Sequence, residues 1–218
     1  MKKTRICATI INNDPQAARE VNNLVDLFEV RIDLIGEDWA ALTRQLKKPW
    51  IACNRIAEEG GKWQGNEARR IEKLLQAAEL GAEIIDIELG TKNLDRIVPI
   101  IKKRVKCLLS FHDFEKTPSL NQMKEVVEKQ QKAGADICKI VTTAQTFEDN
   151  LTTLKLISDL PAVRVISFAM GPLGVVSRIL SPLVGSDFTY ASIELGKESA
   201  EGQLTVRELA QIYGMVGE

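Results

Sequence analysis

The chain has 218 residues, 44% hydrophobic and 5% aromatic, and its 29 basic and 30 acidic side chains leave a formal net charge of −1. One well-buried core fits that length, while the cancelled charge and sparse aromatics argue against nucleic-acid binding or charge-driven membrane binding. No apolar run reaches the roughly 18–20 residues of a membrane span, and Met1-Lys2-Lys3-Thr4 leads into a short strand rather than a signal-peptide core. Cys7, Cys53, Cys107 and Cys138 each lie in an apolar strand-like run, without a CxxC pair or a histidine at zinc spacing. They read as buried reduced thiols, and the expected location is cytoplasmic.

In chain order, residues 4–11 (TRICATII) read as a first strand, and Asp14-Pro15 opens a helix with a capping aspartate and a proline at its first position. Residues 27–34 (LFEVRIDL) alternate strictly as a second strand, and a short helix over 38–46 leads to a third at 50–55 (WIACNR). A Gly-Gly loop precedes a long amphipathic helix over 66–80. The fourth strand is 83–89 (EIIDIEL), followed by a helix over 93–103, and the fifth is 105–112 (VKCLLSFH). Ser119-x-x-Gln122 is a capping box for the next helix. Strand six lies in residues 134–141 (GADICKIV), helix 146–158 follows, and strand seven is 162–169 (AVRVISFA). A helix or helical turn over 173–180, an eighth strand at 188–195 (FTYASIEL) and a last helix capped by Thr205-x-x-Glu208 complete the chain.

Strict alternation of strands and helices implies a parallel sheet. Eight such units without a linker predict a single compact α/β domain over residues 1–218, a (β/α)8 TIM barrel. The competing doubly wound sheet carries a Gly-rich turn after its first strand, and Ile11-Asn12-Asn13-Asp14 has none.

In a barrel one face of each strand packs on helices and the other faces the lumen. Strand two sets Phe28, Val30, Ile32 and Leu34 against Glu29, Arg31 and Asp33, and strand four sets Ile85, Ile87 and Leu89 against Asp86 and Glu88. Arg55 ends strand three, His112 ends strand five and Lys139 sits inside strand six. Charges from five successive strands therefore converge toward the end where barrel enzymes keep their active sites.

Lys139 shares its face with Ile137 and Val141, with Cys138 and Ile140 opposite. A buried ammonium tends to shed its proton and become a nucleophile. Nearby Arg31 and Arg55 are expected to push it the same way, although a lysine snorkelling to the strand end gives the same pattern. His112, the chain's single histidine, stands one strand away as an acid–base group.

With these residues assembled, the sequence resembles the type I 3-dehydroquinate dehydratases over essentially its whole length. The likeness rests on Glu29-x-Arg31-x-Asp33, on Arg55 followed by Glu59-Gly60-Gly61, and on SFHDF around His112. GADICKI around Lys139, Val176-Ser177-Arg178 and Ser199-x-x-x-Gln203 complete it. The resemblance implies that Lys139 forms an imine with the C3 ketone of 3-dehydroquinate. It implies that His112 moves the protons of a syn elimination of water, and that Glu59, rather than the adjacent Glu58, orients His112. Arg178 is then the partner of the substrate carboxylate. Glu29, Arg31 and Arg55 bind ring hydroxyls and order the pocket, Asp86 and Glu88 balance the arginines, and Ser199 and Gln203 form a lid. No metal or organic cofactor is implied, and a homodimer is expected by family analogy. The sequence departs from the Ala-Lys-Glu-Gly form at Ala169-Met170-Gly171-Pro172-Leu173-Gly174, about two residues longer, just before Arg178.

Two alternatives stand beside this reading. A class I aldolase also uses a barrel lysine, but its substrates are often phosphorylated, and Gly171, Gly174 and Gly196 form no compact glycine pair for a phosphate. A catalytically silent barrel that binds a small acid is the other.

Overall fold

The computed structural model describes residues 4–216, so the expectation for residues 1–3 lies outside the described residues. Its strands are β1 (Ile6–Ile10), β2 (Leu27–Arg31), β3 (Trp50–Cys53), β4 (Ile84–Glu88), β5 (Lys106–His112), β6 (Ile137–Thr143), β7 (Val165–Met170) and β8 (Thr189–Ser192). All pairings are parallel, in the order β7-β6-β5-β4-β3-β2-β1-β8. Helical segments follow every strand, which gives the expected (β/α)8 architecture. At the remaining seam the Asp187 amide donates to the Val165 carbonyl (3.1 Å) instead of forming a ladder, so the barrel is nearly closed.

Helix starts follow the expected chemistry. Asp14 accepts from the Gln16 and Ala17 amides, and both Ser119–Gln122 and Thr205–Glu208 form reciprocal capping boxes. Several strands are shorter than their hydrophobic runs. Beyond Arg31 the chain turns at once into a helical segment (Ile32–Ile35), so Ile32 and Asp33 are not strand residues. Alternation in the sequence continues past the point where β1 and β3 offer backbone partners to β2, whose ladder ends at Arg31↔Cys53. β6 instead begins later and runs further, to Thr143.

The outer layer is the main core. Phe28, Val30, Ala52, Ile85, Ile87 and Leu109 point away from the lumen onto Leu74, Val98 and Leu209 of the surrounding helices. The lumen floor is apolar too, built from Cys7, Leu27, Ile51, Ile84, Leu108, Ile137, Ile166 and Phe188. Above that floor the inward positions turn polar, and Glu29, Arg31, Arg55, Asp86, Glu88 and Lys139 are all buried.

Arg70, on the helix Glu67–Glu79, ties this polar layer to the outside. It is fully buried and bonds Glu88 (2.6 Å), Glu67 (2.7 and 2.8 Å), Thr91 (3.1 Å) and the Asn54 carbonyl (3.1 Å). Truncating it leaves the buried Glu88 carboxylate with Arg55 as its remaining ion-pair partner, at 3.2 Å, and breaking a buried pair in this way costs on the order of 3–5 kcal/mol. Arg70→Ala is therefore expected to lose about that much in urea unfolding, and a loss near the ~0.5 kcal/mol of a surface change refutes the buried link.

Candidate active site

The polar layer of the lumen is a chain of alternating charges. Asp86 Oδ1 accepts from Arg55 Nη2 (2.7 Å) and Ser110 Oγ (2.7 Å), and Asp86 Oδ2 accepts from Lys139 Nζ (2.9 Å). Arg55 also donates to Ser110 (2.6 Å) and lies 3.2 Å from Glu88, which in turn meets Arg70. Glu29 Oε1 stands 3.7 Å from Lys139 Nζ and has no hydrogen-bond partner among the described residues. Burial would raise the Asp86 carboxyl, but Arg55, Lys139 and the Ser110 hydroxyl overcome it and hold the group well below the usual carboxylate range.

β6 places Lys139 as its alternation requires. Ile137 and Val141 join the lumen floor and wall, while Cys138 and Ile140 pack on the helices. Gln130, buried on the helix Leu120–Lys132, donates to the Lys139 and Leu109 carbonyls (3.0 Å each) and locks the two strands together there. The protonation state differs from expectation. Burial pulls the Lys139 ammonium down and Arg55 adds to that, yet Asp86 and Glu29 outweigh both and raise its pKa above the ordinary lysine value. Lys139 is therefore a cation, because two carboxylates stand closer than the sequence order of charges revealed.

His112 ends β5, and its Nδ1 lies 2.8 Å from Glu59 Oε2. Burial, reinforced by Arg55 and Lys139, lowers the imidazole well below its usual pKa, so the ring is neutral. Burial likewise pushes Glu59 up to about 7 against the pull of Arg55. The turn that delivers Glu59 depends on its glycines. Gly60 is left-handed (φ +76°), and a Cβ on Gly61 would strike the Arg55 carbonyl. Glu58 is exposed, and it is Glu59 that lies within hydrogen-bond distance of His112.

The longer loop after β7 still delivers Arg178 to the cavity. Ser177 Oγ donates to the Gly174 carbonyl (2.8 Å) and accepts from the Ala169 amide (2.9 Å), while the Ser177 amide donates to Asn150 (2.9 Å). The next residue, Arg178, is 1% exposed and lies over the Phe168 ring at 4.5 Å. It donates to the Glu201 carbonyl (3.2 Å), but its Nε is unpartnered, and among the described residues it makes no ion pair. Burial pulls it down to about 10, still a cation at neutral pH.

The loop after β8 lies against this side. The Gly171 amide donates to the Glu201 carbonyl (3.2 Å), and Gln203 Oε1 accepts from the Ser199 amide (2.8 Å) and hydroxyl (3.1 Å). Arg31 is paired twice with Asp33 (2.8 and 3.0 Å) at the rim. Glu29, Arg31, Arg55, Glu59, His112, Lys139, Arg178, Ser199 and Gln203, separated in sequence, thus line one cavity.

Sequence reasoning did not single out Ser110, Phe114, Phe168, Met170 or Tyr190, which also touch this cavity or its charge chain. Ser110 and Tyr190 sit at lumen-facing positions of β5 and β8, so alternation could have flagged them. Glu29, Cys53 and Asp86 offer ligand atoms within 4.8 Å of one another, a spacing suited to a cation. The Lys139 ammonium already supplies that charge.

The barrel mouth thus holds an amine, a histidine–carboxylate pair and an arginine without an ion pair among the described residues, a constellation characteristic of a (β/α)8 enzyme. Residues 6–218 match the family model of type I 3-dehydroquinase, and the chain belongs to that family. It is 40% identical over 216 residues to a 3-dehydroquinate dehydratase of Dehalococcoides mccartyi, covering 99% of this chain and 97% of that protein. It is 36% identical over 231 residues to the 3-dehydroquinate dehydratase of Methanosarcina barkeri, with coverage of 99% and 96%. Among solved structures it is similar to the type I 3-dehydroquinate dehydratase of Clostridium difficile crystallised with covalently modified comenic acid. That match has a TM-score of 0.88 and 25% identity, over 99% of this chain and 93% of that one.

The single histidine makes the Glu59–His112 pair directly observable. When Glu59 is ionised, Nδ1 carries the proton and Nε2 keeps its lone pair; when Glu59 is protonated, it donates to Nδ1 and the ring proton moves to Nε2. Imidazole ¹⁵N spectra are expected to switch from the Nε2–H to the Nδ1–H tautomer as pH rises through about 7. Glu59→Gln should abolish the switch, and an imidazolium signal near neutral pH contradicts the assignment.

Proposed function

We propose that this protein is a 3-dehydroquinate dehydratase, a hydro-lyase that removes water from 3-dehydroquinate to give 3-dehydroshikimate in the shikimate pathway. The observation that carries the reading is the family match over residues 6–218. The setting of Lys139 between Asp86 and Glu29, beside a neutral His112, supports the mechanism.

Starting from the Lys139 ammonium, the first step balances within the site. Nζ passes one proton to its carboxylate partner Asp86 and adds to the C3 carbonyl; a second Nζ proton moves to the carbonyl oxygen to give the carbinolamine hydroxyl, which leaves as water with the proton held by Asp86. Ammonium plus ketone becomes iminium plus water, so the positive charge stays where Asp86 and Glu29 already balance it. The carboxylates that keep the free lysine protonated are thus the groups that stabilise the iminium. His112 Nε2 next takes a C2 proton, and the C2–H electron pair moves toward nitrogen to form the enamine. The imidazolium returns a proton to the C1 hydroxyl, which leaves as water while the enamine electrons form the C1–C2 double bond. Hydrolysis of the iminium releases product and restores the ammonium.

Arg178 has a buried, unpartnered Nε, an arrangement suited to the substrate carboxylate. Glu29 Oε1, also unpartnered, suits a substrate hydroxyl, with Arg31 and Arg55 ordering the wall. Ser199 and Gln203 close over the ligand. No metal or organic cofactor enters this scheme, because the iminium is the electron sink. The reading carries with it a cytoplasmic homodimer; among the described residues no helix is long and apolar enough to cross a membrane.

Incubation with 3-dehydroquinate and borohydride, followed by intact-mass measurement, is expected to yield a stable adduct that Lys139→Ala lacks. His112→Ala should still trap the adduct while kcat falls by about 10²–10⁴. An unmodified parent protein, alongside a successfully trapped control enzyme, rejects the imine.

A further inference from the structure

Lys139 meets carboxylates on one side of its nitrogen and an aromatic face on the other. Tyr190, in the middle of β8, is 4% exposed and lines the cavity, and Nζ lies 4.4 Å from its ring centroid. The ring is held edge-on by Phe168 (6.1 Å) and Phe188 (5.4 Å), and its backbone is in register with Cys7 of β1. Its phenol is buried without a hydrogen-bond partner among the described residues, and burial together with Glu29 drives its pKa well above the usual value, so the group stays neutral. The other charged or titratable groups in the field of Lys139 are Asp86 on β4, Glu29 on β2, and Cys53 on β3 with Arg55 and Glu59 after it. His112 on β5 and Cys7 on β1 also lie in that field, and Arg31 and Arg178 line the same cavity. From the β7–β8 side Lys139 meets the uncharged register partner Ile166 and the Tyr190 ring.

We propose that Tyr190 is a further residue of the reaction, whose ring face holds the Lys139 nitrogen in its cationic states, first as ammonium and then as iminium. The inference rests on the imine mechanism proposed for this site. A cation over a desolvated ring face is attracted by the ring quadrupole, and a neutral amine gains nothing comparable. The ring therefore favours the same nitrogen before and after condensation, and it does so without drawing a carboxylate away from Arg55. Asp86 and Glu29 supply charge from one side, and Tyr190 keeps Nζ from being drawn wholly onto them.

Two readouts that move in opposite directions test this. The first is carbamylation of Lys139 by cyanate at pH 8, mapped by peptide mass, which reports the free-amine fraction and needs no substrate. The second is the fraction of borohydride-trapped adduct with 3-dehydroquinate, which reports the iminium. Tyr190→Leu is expected to raise carbamylation and lower trapping, each by about tenfold, the scale of a desolvated cation–ring contact. Tyr190→Phe keeps the ring and should leave both within about twofold. Trp39→Leu, which removes a buried aromatic from the outer core and leaves the lumen intact, should cost thermal stability like Tyr190→Leu and leave both readouts near parent values. A loosened pocket raises both readouts together and a collapsed one lowers both; either result, or no change in Tyr190→Leu, overturns the proposal. Failure of trapping in the parent protein rejects the imine mechanism instead, while the carbamylation comparison still reports on the ring.

Discussion

Asp86 is the group on which the site depends. Its two oxygens bind Arg55, Ser110 and Lys139 at 2.7–2.9 Å, and it is 1% exposed. An ionised carboxylate taken out of water loses several kcal/mol of solvation, and only partners of excellent geometry repay this. The β3, β4, β5 and β6 segments are therefore fixed relative to one another by the needs of one side chain. The same logic propagates outward, since Arg55 needs Glu88 and Glu88 needs Arg70, which reaches Glu67 at the surface.

That arrangement explains why a buried lysine here is not a spontaneous free base. Desolvation alone favours the neutral amine, but Asp86 and Glu29 reverse the balance. Under the proposed imine mechanism, what this costs in ground-state nucleophilicity it offsets in the condensed state, because an iminium carries the same charge in the same place. His112 faces the opposite environment. Burial, with Arg55 and Lys139 adding to it, lowers its pKa, so it stays neutral and ready to accept a proton. Two titratable groups a strand apart are thereby pushed to opposite states, the separation an acid–base mechanism needs.

The loops do different work from the strands. Gly60 and Gly61 turn the chain so that Glu59 meets His112, and Ser177 stitches the helix after β7 back onto Ala169. Those backbone-directed bonds absorb the longer Gly171–Gly174 segment, so that Arg178 reaches the cavity despite it. The guanidinium left without a carboxylate among the described residues marks the side of the cavity suited to an anion.

Much of this was legible in the residues themselves. Alternation through residues 27–31, 84–88 and 137–141 assigned the inward charges correctly, because side-chain direction along a strand has period two whatever lies outside it. The capping boxes at Ser119 and Thr205 and the Asp14-Pro15 start were readable for the same reason: their partners lie within three residues. The end of β2 was not, since Ile32 and Asp33 continue the pattern and only the absence of further ladder partners stops the strand. Nor was the charge state of Lys139, or the Tyr190 ring at its other side. The sequence by itself determined the eight-unit barrel and which side chains face the lumen, since both follow from local periodicity. Only the tertiary structure decided that Asp86 lies 2.9 Å and Glu29 3.7 Å from Lys139, because electrostatic energy depends on distances across strands up to 110 positions apart.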